Sequence, residues 1–182
     1  MEKTVLRIRK FPEPCLRKKS VAVKKITAEC RDILSSMARI MYDNDGVGLA
    51  APQVGINETM IVADIGEGLY KLINPKIVKA KGSQVNKEGC LSVPGVCLKV
   101  KRSDKIKLEA LDENGEPLAI VAEGLLACVF QHEIDHLSGK LIVDYASFVE
   151  KIRFAKALKE LRKKAKDENL PKSETKSCKL QL

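Results

Sequence analysis

The residues best equipped for chemistry lie in one short stretch, Gln131-His132-Glu133-Ile134-Asp135-His136. It contains both histidines of the chain, four apart, with a glutamate directly after the first. On an α-helix, positions i and i+4 share a face, with Cβ atoms roughly 5–6 Å apart. Two imidazoles so placed can bind one divalent ion at about 2.0–2.1 Å. Glu133 then points to the side, close to the metal without ligating it, where a general base is needed. The competing reading is an exposed helix that spells the pattern by chance, so context decides.

A catalytic metal commonly has three protein ligands and an open position for water. Downstream, the place where a metzincin would have its third histidine is held by Ile142. A glutamate on a following helix, Glu150 or Glu160, could serve as in a gluzincin. Upstream, Cys90 lies in Glu88-Gly89-Cys90-Leu91-Ser92-Val93-Pro94 and could present a thiolate from an extended segment. Free cysteine is also commonly a small buried hydrophobe, so chemistry alone leaves Cys90 and Glu160 both open. Arg102, Glu88 and Asp135 are candidates for an ion-pair network around the site, because metal ligands need partners that orient them. Three unrelated surface charges are the alternative.

These side chains must be positioned by a scaffold, and hydrophobic periodicity outlines it. The pattern predicts an edge strand over 4–9. A helix follows over 28–42, capped by Thr27, with Ile33, Leu34, Met37, Ile40 and Met41 at helical spacing and a stop at Asp43-Asn44-Asp45-Gly46. Residues 46–55 read as a glycine-bearing loop, which lets a ligand approach the backbone. Strands are predicted over 59–65, 69–73 and 76–80, with Asn74-Pro75 as a break, and a hairpin joins 105–111 to 118–122. A helix over 124–137 carries the histidines, with Leu125, Cys128 and Val129 on its buried side and Gly139 as its stop. Ser147 and Glu150 form a capping box opening a last helix over 147–165. The fold class is α+β, with antiparallel sheets around a central helix that carries the His-Glu-x-x-His motif, plus a C-terminal helix.

At 182 residues, 45% of them hydrophobic and 31% charged, the chain fits one globular catalytic domain over 1–165. A basic, disordered tail is expected over 166–182. No apolar stretch suggests a signal peptide or a membrane span. The six cysteines lack zinc-finger spacing and read as reduced thiols in a cytoplasmic protein. The net charge of +9 is uneven: from Lys151 to Leu182 there are 11 Lys and Arg against 4 Asp and Glu. This excess is either a solvated face or a docking element.

Three motifs carry a family resemblance. Gly46-Val47-Gly48-Leu49-Ala50-Ala51-Pro52-Gln53, then Glu88-Gly89-Cys90-Leu91-Ser92, then Gln131-His132-Glu133-Ile134-Asp135-His136 resemble those of the peptide deformylases, in order and spacing, from about residue 5 to about 150. The resemblance implies Cys90, His132 and His136 as the metal ligands. It implies removal of the N-formyl group from the methionine of a nascent polypeptide, by water held at the metal with Glu133 as general acid and base. It further assigns Gly48 to the substrate backbone and Gln53, with the N–H of Leu91, to the carbonyl oxygen. Val47, Gly89, Leu125, Cys128 and Val129, beside His132, would line a narrow slot for the methionine side chain. Asn86 and Cys97 depart from the apolar residue and the Arg found in some members. Fe²⁺ is the metal implied, with Zn²⁺, Ni²⁺ or Co²⁺ able to substitute. Nascent formyl-Met chains and, through the basic C-terminus, the ribosome near its exit tunnel are the expected partners, with no membrane and no DNA. Two readings compete: an endopeptidase using Glu160, and a ribosome-associated binding protein whose metal is structural.

Overall fold

The computed structural model describes residues 6–166. In chain order it contains helix α1 (Ala28–Asp43), strands β1 (Gly48–Ala50), β2 (Met60–Ala63), β3 (Tyr70–Lys81), β4 (Gln84–Glu88), β5 (Leu98–Arg102), β6 (Lys105–Leu111) and β7 (Pro117–Glu123), then helices α2 (Gly124–Leu137) and α3 (Phe148–Lys166). Short 3-10 turns occupy Pro14–Arg17, Ala51–Val54 and Ile142–Tyr145. Five strands form an antiparallel sheet in the order β1-β2-β3-β6-β7, and β4 pairs with β5 in a second, two-stranded sheet. The α+β architecture expected from the sequence is the one observed.

Strand β2 shows why the central helix sits where it does. All four of its residues are buried, so both faces of the sheet are covered. Ile61 and Ala63 turn to one face, where they meet Ala127, Val129 and Phe130 of α2. Met60 and Val62 turn to the other and meet Leu34, Met37 and Met41 of α1. Phe130 is fully buried, with its ring edge-on to Tyr70 at 5.3 Å between centroids. Burying such a side chain contributes about 1.5–3 kcal/mol. A third cluster joins Leu98 and Val100 of β5 to Leu16, Ile142 and the inner stripe of α3, Phe154, Leu158 and Leu161.

Helix ends follow the sequence signals. Thr27 Oγ1 accepts from Cys30 N, and Gly46 N closes the end of α1 on Met41 O at 2.9 Å. Ser147 and Glu150 make the reciprocal bonds of the capping box. Other expectations need correction. Residues 6–9 form no strand: Arg9 N and Phe11 N instead make single bonds to Gln53 O and Ser92 O. Residues 4 and 5 lie outside the described residues. The loop over 46–55 contains β1 and a 3-10 turn. The break at Asn74-Pro75 is absorbed as a register shift within one continuous β3, with Asn74 at φ 52° and its amide tied to Val23 N and O. The β4–β5 hairpin was not foreseen. Among the described residues, Cys15, Cys30, Cys90 and Cys128 are free thiols. The tail beyond Lys166 lies outside the described residues. Among those described, no helix is long and apolar enough to cross a membrane.

Candidate metal centre and active site

Two elements far apart in sequence build the site. Helix α2 follows β7 with no intervening residue, and Gly124 takes the positive φ of 54° needed for that corner. Gln131 then fixes the rotation of α2: its amide donates to Ser103 O at 2.8 Å and accepts from Ser103 N at 3.0 Å. Cys90 follows β4 after a single residue, Gly89, and the last residue of that strand, Glu88, is gripped by Arg102 at the end of β5.

Three donor atoms converge between these elements. Cys90 Sγ lies 3.2 Å from His136 Nε2, which lies 3.2 Å from His132 Nε2, and all three atoms are within 4.8 Å of one another. Ligands at about 2.0–2.1 Å for nitrogen and about 2.3 Å for sulfur around a tetrahedral ion stand roughly 3.3–3.6 Å apart. The donor set therefore fits a divalent cation. Among the described residues this is the one such group of three. Glu160 is exposed on α3, and Glu150 is engaged in capping that helix, so neither joins it.

The surroundings orient these donors. Glu88 Oε2 accepts from His132 Nδ1 at 2.8 Å, which turns Nε2 of the ring towards Cys90 and His136. Arg102 grips both oxygens of Glu88, at 2.5 and 2.8 Å, and reaches Asp135 at 3.0 Å. Tyr145 donates to the same Asp135 oxygen at 2.7 Å. The network of Glu88, Arg102 and Asp135 is thus present and extends to Tyr145. Burial would raise the Glu88 pKa, but the His132 and Arg102 bonds outweigh it and lower it to about 2. Burial would likewise lower that of His132, yet its bonds to Cys90 and Glu88 hold it well above the usual value. His136, buried beside His132, is pushed well below.

Glu133 is 4% exposed and its Oε2 has no partner. Burial, opposed by His132 and Arg102, raises its pKa to about 7. A carboxyl group in that range can both take and return a proton near neutrality. Its carboxylate lies beside Gly48, where an added Cβ would collide with Oε1 and would come within 2.9 Å of Val129 Cγ1. Gln53 is oriented by Ala50, whose N–H donates to its Oε1 at 2.8 Å. The Nε2 end therefore faces Ser92 Oγ at 3.2 Å and Cys90 Sγ at 3.6 Å.

A cavity of about 490 Å³ opens over these groups. Its walls include Val47, Gly48, Gln53, Gly89, Cys90, Leu91, Leu125, Cys128, Val129, His132 and Glu133, which brings together the residues singled out from the sequence; His136 lies buried behind them. The far end, made by Tyr42, Asp45, Asp64, Ile65 and Gly66, was not anticipated. Tyr42 donates to Asp64 at 2.6 Å there.

The sequence profile for polypeptide deformylase matches residues 5–151. The chain belongs to the peptide deformylase family. Among its relatives, the peptide deformylase of Syntrophomonas wolfei is 50% identical over 143 residues, covering 79% of this chain and 94% of that protein. That of Caldanaerobacter subterraneus is 54% identical over 137 residues, covering 75% and 86%. The crystal structure of a peptide deformylase from Legionella pneumophila aligns with a TM-score of 0.83 at 37% identity, covering 92% of this chain and all of that one. That from Thermotoga maritima aligns with a TM-score of 0.77 at 42% identity, covering 80% and 99%. As a deformylase-family enzyme, the chain has its Cys-His-His cluster, Glu133 and Gln53 on the walls of one cavity or directly behind them.

Proposed function

We propose that this enzyme hydrolyses the N-formyl group from the N-terminal methionine of newly made polypeptides, with Cys90, His132 and His136 holding a divalent metal. The observation that carries the reading is the convergence of two imidazole nitrogens and one sulfur within 4.8 Å of one another, beside a buried carboxylate whose Oε2 has no partner. A metal bound there supplies acidity, lowering the pKa of a water from 15.7 towards about 7 and polarising a carbonyl. Glu133 takes the proton of the attacking water and passes it to the amine as the carbon–nitrogen bond breaks, so formate and a free amino terminus leave. The Gln53 amide and the Leu91 N–H hold the carbonyl oxygen as charge gathers on it; losing one such donor costs about 10²–10³ in turnover. Val47, Gly89, Leu125, Cys128 and Val129, beside His132, take the methionine side chain. The unpaired edge of β1 at Gly48 binds the extended substrate backbone.

Fe²⁺ is the working metal in this reading, and Zn²⁺, Ni²⁺ or Co²⁺ can substitute. Nitrogen and thiolate ligands suit all four. The setting is the cytoplasm, where the nascent chain emerges, and the basic C-terminal region docks on ribosomal RNA. Helix α3 supports this with lysines and arginines on its exposed side, including Lys156, Lys159 and Lys163. The experiment is formate release from a formyl-Met peptide by anaerobically purified protein, with metal measured on the same sample. Formate in step with iron content is expected. Metal-loaded protein that leaves the formyl group intact, or cleaves unformylated peptides instead, overturns the reading. Ribosome co-sedimentation unchanged by deleting residues 166–182 would show the tail dispensable for docking.

A further inference from the structure

We propose that Cys128 is a positioning residue for the metal centre: its thiol completes the donors around Glu88 and so keeps the His132 imidazole turned towards Cys90 and His136. The proposal rests on the reading that those three residues hold a metal.

An ionised carboxylate has about four acceptor sites. Glu88, 2% exposed, has a donor for each. Arg102 Nε and Cys128 Sγ serve Oε1, at 2.5 and 3.2 Å; Arg102 Nη2 and His132 Nδ1 serve Oε2, both at 2.8 Å. The thiol is the one neutral, non-ligand member of this set, and it lies in the wall of the methionine slot. A slot built only for an apolar side chain needs no polar atom at that place. The sulfur donates instead to the carboxylate that holds His132 Nδ1.

The residues behind the sulfur support the same role. Asn86, found where an apolar side chain was expected, lies near enough to Cys128 to act on its thiol. It also donates to Gln84 Oε1 at 2.9 Å, and Gln84 Nε2 reaches Gly124 O at 2.7 Å, at the first residue of α2. Polar side chains thus extend from the start of the helix to the neighbourhood of Cys128, whose thiol meets Glu88. Burial and the adjacent Glu88 charge push the Cys128 pKa up to about 12, so the group remains a donor at any working pH. An aliphatic side chain at 128 would leave Oε1 of the buried Glu88 one donor short.

The test uses the full chain, stripped of metal and titrated with Co²⁺ against a chromogenic chelator. Partners behind metal ligands typically contribute 10–100-fold in affinity, and a thiol is a weak donor. Cys128→Ala is therefore expected to weaken Co²⁺ binding about tenfold and to shift the visible Co²⁺ bands. Cys128→Ser, which restores a donor, should bind within about twofold of the parent. Should the alanine variant fail to fold, Cys128→Val, similar in bulk but without a donor, carries the comparison. A folded alanine or valine variant with the parent's affinity and spectrum overturns the proposal, as does a serine variant that fails as alanine does. A parent protein that takes up no Co²⁺ overturns the metal reading itself.

Discussion

Glu133→Gln in the metal-free protein separates a buried titrating carboxylate from a merely polar one. The Glu133 pKa rises from 4.5 to about 7 on folding, chiefly by burial. Below about pH 4.5 the group is protonated in both states and nothing is lost. Between 4.5 and 7 the unfolded chain releases the proton that the folded protein keeps. The favourable contribution then falls away as pH rises, and it is gone above the folded value. With the carboxyl titrating at about 7 when folded and 4.5 when unfolded, the loss is on the order of 3 kcal/mol. Glutamine has the same shape and cannot titrate. Denaturant unfolding at intervals from pH 5 to pH 8 should show the parent losing about 2–3 kcal/mol more than the variant. Two curves parallel to within about 0.5 kcal/mol would refute the argument, since surface-level changes stay within that range.

Other consequences are open to direct measurement. Gly48→Ala should leave the fold intact by circular dichroism while lowering kcat about 10²-fold, because the new Cβ displaces the Glu133 carboxylate. Arg102→Met strands the buried Glu88 carboxylate without its guanidinium and should cost about 3–5 kcal/mol in denaturant unfolding. Cys90→Ala should purify with far less than one metal per chain by elemental analysis; full occupancy would remove Cys90 from the ligand set. Glu160→Gln, altering an exposed residue on α3, should retain metal and rate in the same assays.

What could be read from the sequence depended on whether each segment's pattern matched its surroundings. Leu126, Phe130 and Leu137 repeat at helical spacing and pack on the sheet, so α2 and its histidines were legible. Strand β4 inverts the usual code: Val85 is 60% exposed, while the charged Glu88 at its end is buried. No hydrophobicity pattern marks a strand whose inward residue is a carboxylate held by Arg102. Its partner β5 did bear a signal, since Leu98, Val100 and Arg102 alternate with exposed lysines. Strand β1 is three residues long and begins with glycine, too short for periodicity to register. At Asn74-Pro75 the turn chemistry was real, but side-chain bonds to Val23 allowed β3 to continue through it. The Cys-His-His cluster needed family resemblance as well, because nothing local in Cys90 distinguishes it from a core thiol.

The absence of any linker between β7 and α2 bears on how this protein tolerates insertions and deletions. One residue added at the Glu123–Gly124 junction would turn the helix by about 100°, swinging both histidines out of register with Cys90. The Asp112–Glu116 turn at the opposite end of the same strand pair is surface chain, where extra residues cost little. Length variation should therefore accumulate at that distal bend, while the corner feeding the helix keeps its residue count.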